Sequence, residues 1–195
     1  MPELPNNETR TRILDVAEDL FTRRGYAAVK LRDIAEALNM KHASLYYYAP
    51  DGKKQLFMEV MERSFIRHRK GLEAAVAEAG EDLRAQVHAV ARWFVAHPPM
   101  NMARMVDADI EVLSDEEQAH LMMLGYSALR DPITAFLEAA VERGEIVLSD
   151  VDLGAMALVS LVQGVHSIPG QWPEAMRQRV GQYVADMLLD GLRKR

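Results

Sequence analysis

A chain of 195 residues can be one large domain or two small ones and can bury a real core, and its 49% hydrophobic and 27% charged residues are ordinary for a soluble globular protein. It contains no cysteine, which excludes disulfides and thiolate metal sites, and no apolar run approaches the roughly 20 residues that a bilayer demands. The net charge of −6 is unevenly spread: residues 1–70 hold 13 Lys and Arg against 10 Asp and Glu, the remainder 10 against 19, which implies a mildly basic N-terminal module on an acidic body.

The opening MPELPNNETR lacks the basic-then-apolar order of a signal peptide, so the expected location is cytoplasmic, away from membranes. From Ile13 the apolar residues fall at Ile13, Val16, Ala17, Leu20 and Phe21, one face of a helix that Gly25 ends. A second stripe, Leu31, Ile34, Ala35 and Leu38, leads through Asn39 into a short third helix over Lys41–Tyr48, broken by Pro50, Asp51 and Gly52. A long helix then runs from Lys53 towards Ala79, with Leu56, Val60, Met61 and Phe65 inward. Beyond Gly80, the residues Leu83, Val87, Val90, Ala91 and Phe94 stripe a helix stopped by Pro98 and Pro99, and another is expected from Met100 to about Leu113. Ser114 with Glu117 makes a capping box for the next helix. Asp131 followed by Pro132 reads as the start of yet another, which closes at Gly144. Residues 152–168 are apolar on most sides and should be buried on two faces. Pro173 opens the last helix, with Val180, Tyr183, Val184, Met187 and Leu188 apolar. No segment shows the period-two alternation of a strand, so the class is all-α.

Three short N-terminal helices with a tight turn between the second and third have the spacing of a helix-turn-helix. Ala35 is small where the third helix must cross closely, and Asn39 sits where a left-handed residue is wanted, a conformation Asn tolerates. An ordinary corner between two helices obeys the same steric rules. A helix entering the major groove needs small or polar residues at its N-terminal end, facing bases, and donors reaching phosphates on both flanks. Lys41, His42, Ala43 and Ser44 supply that end, and Tyr46, Tyr47 and Tyr48 fan over a wide arc because consecutive helical residues are about 100° apart. Lys53 starts the next helix, where a phosphate is favoured. Taken alone, the three tyrosines also fit one packed and two surface aromatics.

The stretch from Thr11 to Leu56 resembles the DNA-binding region of the TetR family of transcriptional repressors, through Ile13-Leu14, Ala17, Leu20-Phe21, Gly25-Tyr26, Ile34-Ala35, Leu45-Tyr46-Tyr47 and Lys53. The resemblance implies a helix-turn-helix domain at 1–52, a connecting helix at 53–79, and a helical ligand-binding and dimerisation domain at 80–195. It implies that Arg32 and His42 to Ser44 face bases and that Tyr46, Tyr47, Tyr48 and Lys53 hold phosphates, with Lys30 and Lys41 completing the DNA-facing set. The sequence departs from the family pattern at Asn39 for the turn glycine, at Lys41 for the polar start of the third helix, and at Val29-Lys30 before the second. It also has Ala49 after the tyrosines and a "PDGK" loop one residue longer than usual.

In that family the body carries a ligand pocket and a dimer interface. The last two helices, within residues 152–193, are apolar enough for a homodimer seam, with Val159 and Val184 as seam positions. Without the family, the same residues equally complete a monomer core. The methionines and aromatics of the body, in particular Trp93, Phe94, Met102, Met105, Met122, Tyr126, Met156 and His166, are the candidate walls for a small, mostly apolar effector. No cofactor, metal or catalytic motif is expected: Asp107, Asp109 and Glu111 mimic a calcium loop, but Val112 and Gln118 stand where glycine and glutamate are required. The function expected is a repressor that releases a palindromic operator on binding its effector. The alternatives are a DNA-binding regulator whose body contacts protein, and an all-α enzyme.

Overall fold

The computed structural model describes residues 7–97, 113–167 and 172–192, and among them every extended regular element is an α-helix. In chain order these are α1 (Asn7–Arg24), α2 (Leu31–Ala37), α3 (His42–Tyr48), α4 (Lys53–Glu78), α5 (Leu83–Ala96), α6 (Asp115–Glu142), α7 (Val151–Gln163, followed by a 3₁₀ turn Gly164–Ser167) and α8 (Glu174–Leu192). The helix expected from Met100 lies, except for Leu113, outside the described residues, as do Asp107, Asp109 and Glu111. The described residues fall into two compact units. One comprises those up to Ser64 with Leu113–Leu124; the other comprises Phe65–His97 with those from Gly125 onward.

The first unit is built on the predicted stripe of α1. Ile13, Ala17, Leu20 and Phe21 are buried, together with Ile34 and Ala35 of α2, Leu45 of α3, and Leu56, Phe57 and Val60 of α4. Phe21, Tyr26 and Phe57 form an aromatic cluster with ring centroids 5.0–6.0 Å apart. Met61 is half-buried, and Phe57, one residue from the predicted inward positions, is buried instead.

The second unit packs α5 against α7 and α8 around Leu72, Val87, Val90, Phe94, Ile133, Phe136, Leu158, Val162 and Leu189. Asp82 and Asp150 cap α5 and α7 by accepting from Ala85 N–H at 2.7 Å and Leu153 N–H at 3.0 Å. Gly71 of α4 lies so close under the Trp93 indole that a Cβ there would stand 1.9 Å from its ring.

Two expectations fail. Pro132 does not begin a helix; it sits inside α6, which runs unbroken from Asp115 to Glu142 before closing at Gly144 with φ +72°. An interior proline removes one backbone bond and costs about 3 kcal/mol. Ala128, Leu129, Ile133, Phe136, Leu137 and Ala140 continue one buried face across it, and each large side chain returns about 1.5–3 kcal/mol. Asp131, freed from capping, pairs with Arg130 at 2.7 Å. Nor is α7 buried on two faces within the chain: Ala155, Leu158, Val159 and Val162 are inward, while Leu153 and Leu161 are 68% and 47% exposed. Val159 belongs to the core, not to a seam. On α8 the exposed apolar residues are Met176, Tyr183 and Met187.

Candidate nucleic-acid interface

The turn between α2 and α3 is set by backbone geometry. Asn39 adopts φ +54°, which sends the Met40 N–H to the Ala35 carbonyl at 2.9 Å and the Asn39 N–H to the Glu36 carbonyl at 3.1 Å. That pair of bonds closes α2 as a Schellman motif with Asn in the place usually held by glycine. At the other end of α2 the Asp33 carboxylate accepts the Lys30 N–H at 2.9 Å, but lysine has no side-chain acceptor to return the bond. Helix α3 starts at Lys41 likewise without a side-chain cap.

Leu45 is fully buried and pins α3 to the unit, which turns the rest of the helix outward. Lys41, His42, Ala43 and Ser44 are exposed at its N-terminal end, Tyr46 and Tyr47 are 46% and 69% exposed, and Tyr48 is half-buried. The His42 ring meets the Tyr46 edge at 5.2 Å, and Tyr47 meets Tyr48 at 5.4 Å, so the aromatic side chains brace one another along the helix. On α2, Lys30 and Arg32 are exposed, and Arg32 makes a loose 3.4 Å pair with Glu36 of the kind that contributes little.

Lys53 is not extended towards solvent. Its ammonium donates to the Tyr26 carbonyl at 2.9 Å and stands 3.8 Å over the Tyr26 ring. The Tyr26 phenol is pushed above its ordinary pKa by burial, an effect that nearby Lys54 partly opposes. Lys54 pairs with Glu117 at 2.7 Å; that hydrogen bond raises the ammonium and, with a backbone bond from Ser114, holds the carboxyl below its ordinary range. The predicted capping box is present, with Ser114 N–H to Glu117 at 2.8 Å and Glu117 N–H to the Ser114 hydroxyl at 3.3 Å. Two groups escaped the sequence reading. One is Lys54, and the other is Arg10, which donates to the Tyr48 carbonyl at 2.6 Å and pairs with Glu59. Both look like solvated helix charges in sequence, because their partners lie 38 to 63 residues away.

The candidate effector residues that the structure describes differ in their surroundings. Phe94 is core, 1% exposed, while Trp93 is half-buried and stacks on His97 at 3.5 Å beside a surface groove of about 390 Å³ lined also by Ala75, Ala79 and Ala89. Met156 is half-buried, and Tyr126 is 39% exposed with the Arg130 guanidinium over its ring at 4.9 Å. Met122 is 37% exposed and belongs to the other unit. His166 lies in the 3₁₀ turn, and Met102 and Met105 lie outside the described residues. Among the described residues no cluster of His, Asp and Glu could hold a metal ion, and no helix is long and apolar enough to cross a membrane.

The family model of bacterial regulatory proteins, tetR family, matches residues 13–60, from α1 into α4. The HTH-type transcriptional repressor KstR2 of Rhodococcus jostii (strain RHA1) is 31% identical over 147 residues, covering 74% of this chain and 70% of that protein. The chain belongs to the TetR family. As a TetR-family member it is a DNA-binding transcriptional regulator, in a family of regulators rather than enzymes. Solved regulator structures share the fold over most of the chain. PfmR from Thermus thermophilus superposes with a TM-score of 0.68 at 28% identity, covering 95% of this chain and 98% of that one. The ketosteroid transcriptional regulator KstR2 of Mycobacterium tuberculosis superposes with a TM-score of 0.70 at 20% identity, covering 98% of both chains.

Proposed function

We propose that this TetR-family regulator is a homodimeric repressor that reads a palindromic operator through α2 and α3 and releases it when a small, mostly apolar molecule binds the body. The observation that carries the reading is the exposure pattern of α3: one buried leucine fixes the helix, and every other residue up to Tyr47 faces solvent. Solvent exposure of two tyrosines and a histidine has no folding benefit, and it is what a helix laid in the major groove requires. In this reading Arg32, His42, Ala43 and Ser44 meet base edges. Lys30, Lys41, Tyr46, Tyr47, Tyr48 and Lys53 hold the backbone on either side. An ammonium has three donors, so Lys53 can keep its bond to Tyr26 and still meet a phosphate oxygen.

The dimer reading rests on the unpaired apolar face of α7 and α8, where Leu153, Leu161, Tyr183 and Met187 are 47–68% exposed. The working division is then residues 1–52 for DNA, 53–79 as connector, and 80–195 for effector and partner protomer, in the cytoplasm. An apolar effector fits the methionine-rich body, and it fits the relation to KstR2, whose mycobacterial namesake is described as a ketosteroid regulator. Release requires that the effector bind the geometry incompatible with DNA more tightly than the compatible one. Selection from a randomised duplex library tests the reading. The wild-type protein should enrich a palindrome, and His42→Ala should change the preferred base at one symmetric pair of positions. Enrichment of no sequence, or the same sequence by both proteins, would remove α3 from the role given to it.

A further inference from the structure

We propose that Arg10, on the first turn of α1, is a positioning residue that sets the orientation of the recognition helix α3 on DNA without touching DNA itself. The inference rests on the reading above that α3 meets base edges.

The last carbonyls of a helix have no intrahelical partner. In α3 the Leu45 carbonyl is taken by the Ala49 N–H at 3.0 Å, and the Tyr48 carbonyl is taken by Arg10 Nη1 at 2.6 Å. The other terminal nitrogen of Arg10 pairs with one oxygen of Glu59 on α4. The second Glu59 oxygen accepts from Gln55 Nε2 at 2.9 Å, and Gln55 Oε1 accepts the Asp51 N–H at 3.1 Å. A single guanidinium thereby joins α1, the end of α3, the Asp51 turn and the opening of α4. Its side chain is 15% exposed and that of Glu59 is 25% exposed, so the pair is shielded from salt and from a phosphate.

The geometry makes this contact matter for reading. Helix α3 spans seven residues and is held by the Asn39 turn at its start, by Leu45 in its middle and by Arg10 at its end. At about 1.5 Å rise per residue, His42 and Tyr48 each lie about 4.5 Å from Leu45 along the axis. A pivot about Leu45 therefore moves the base-facing end by as much as it moves the Tyr48 end. Hydrogen bonds to base edges tolerate only a few tenths of an ångström, whereas phosphate contacts made by long, mobile side chains tolerate more. Loss of the Arg10 tie should weaken discrimination and spare non-specific binding.

The test uses the full-length chain. The duplex that the wild-type protein enriches from a randomised library, and a scrambled duplex of the same length, are titrated by fluorescence anisotropy at several salt concentrations. Arg10→Gln should lower the ratio of affinities for the two duplexes about tenfold or more, with affinity for scrambled DNA within about twofold and the salt slope unchanged. Arg10→Lys keeps the charge and gathers its donors on a single nitrogen, and should recover most of the ratio. Equal weakening on both duplexes, with a salt slope smaller by about 0.9 per protomer, would make Arg10 a phosphate ligand and overturn the proposal. An unchanged ratio would overturn it too. Should circular dichroism show Arg10→Gln unfolded, Glu59→Gln decides, because it keeps the shape and removes the charge. Its ratio should fall about threefold or more, and an unchanged ratio refutes the tie. Failure of the wild-type protein to enrich any duplex would instead refute the underlying reading of α3.

Discussion

Replacing Lys53 with methionine keeps the apolar stem and removes a charge that holds Tyr26 and is proposed to hold a phosphate. In the structure the ammonium is 2.9 Å from the Tyr26 carbonyl and 3.8 Å from the centre of the Tyr26 ring. A charged hydrogen bond contributes about 1.5–3 kcal/mol and a partly desolvated cation–π contact about 0.5–2 kcal/mol. Lys53 is only half-buried, and its ammonium is well hydrated in the unfolded chain, so a combined loss of about 1–2 kcal/mol is expected. For a chain of this size that lowers the melting temperature by about 2–8 °C. On DNA, each neutralised phosphate adds about 0.9 to the salt slope, so the variant should lose about 0.9 per bound protomer. Affinity should fall equally on the preferred and on scrambled duplexes, because phosphates carry no sequence. Anisotropy titrations at four or more salt concentrations, beside a thermal melt, measure both effects. A loss confined to the preferred duplex, with the slope intact, would refute the phosphate assignment; an unchanged melt would refute the contribution of the Tyr26 contact.

Gly71→Ala puts a methyl group into the Trp93 indole, so despite a gain of about 1 kcal/mol in helix propensity it should destabilise the chain by about 1–2 kcal/mol, and in a Trp172→Phe background it should change the Trp93 emission. Leu161→Glu with Tyr183→Glu, both exposed within the chain, should yield folded monomers by sedimentation; dimers that persist would place the seam elsewhere. Glu117 is held below its ordinary pKa by Lys54 and Ser114, so its contribution is complete above the unfolded carboxyl value of about 4.3 and is lost as pH falls through the lower folded value. The melting temperatures of wild type and Glu117→Gln should therefore differ by a constant amount above about pH 5 and converge in acid.

What the sequence makes legible here is what depends on neighbours within one helical turn or so. The stripe of α1, the Asn39 turn and the Ser114–Glu117 box are all decided by contacts three to five residues apart, and each is present. Pro132 shows where that locality ends. Asp-Pro is the same dipeptide whether it opens a helix or interrupts one, and the choice falls to a buried face that runs from Ala128 to Ala140 through partners remote in sequence. Residues 152–168 pose the same difficulty in another form. A helix that is apolar nearly all round gives no direction to its inward side, so Val159 could not be told from Leu161 until packing separated them at 3% and 47% exposed.

The candidate interface divides along the same line. Three consecutive tyrosines cannot share one face, and the fully buried Leu45 fixes which of them must turn outward. That inference needs only helical geometry and one anchor, so the residues proposed to meet DNA are visible in the sequence. The residues that hold them are not. Lys53 and Lys54 of α4 and Arg10 of α1 carry the same formal charge, yet one rests on a ring, one closes a pair with α6 and one ties down the end of α3. Their roles follow from partners 27 to 63 residues away, and charge patterning along a helix carries no record of such distances. A surface that reads DNA is exposed by definition and so is written in local sequence. The stiffness proposed to let it discriminate rests on long-range polar ties, which emerge only once the chain has folded.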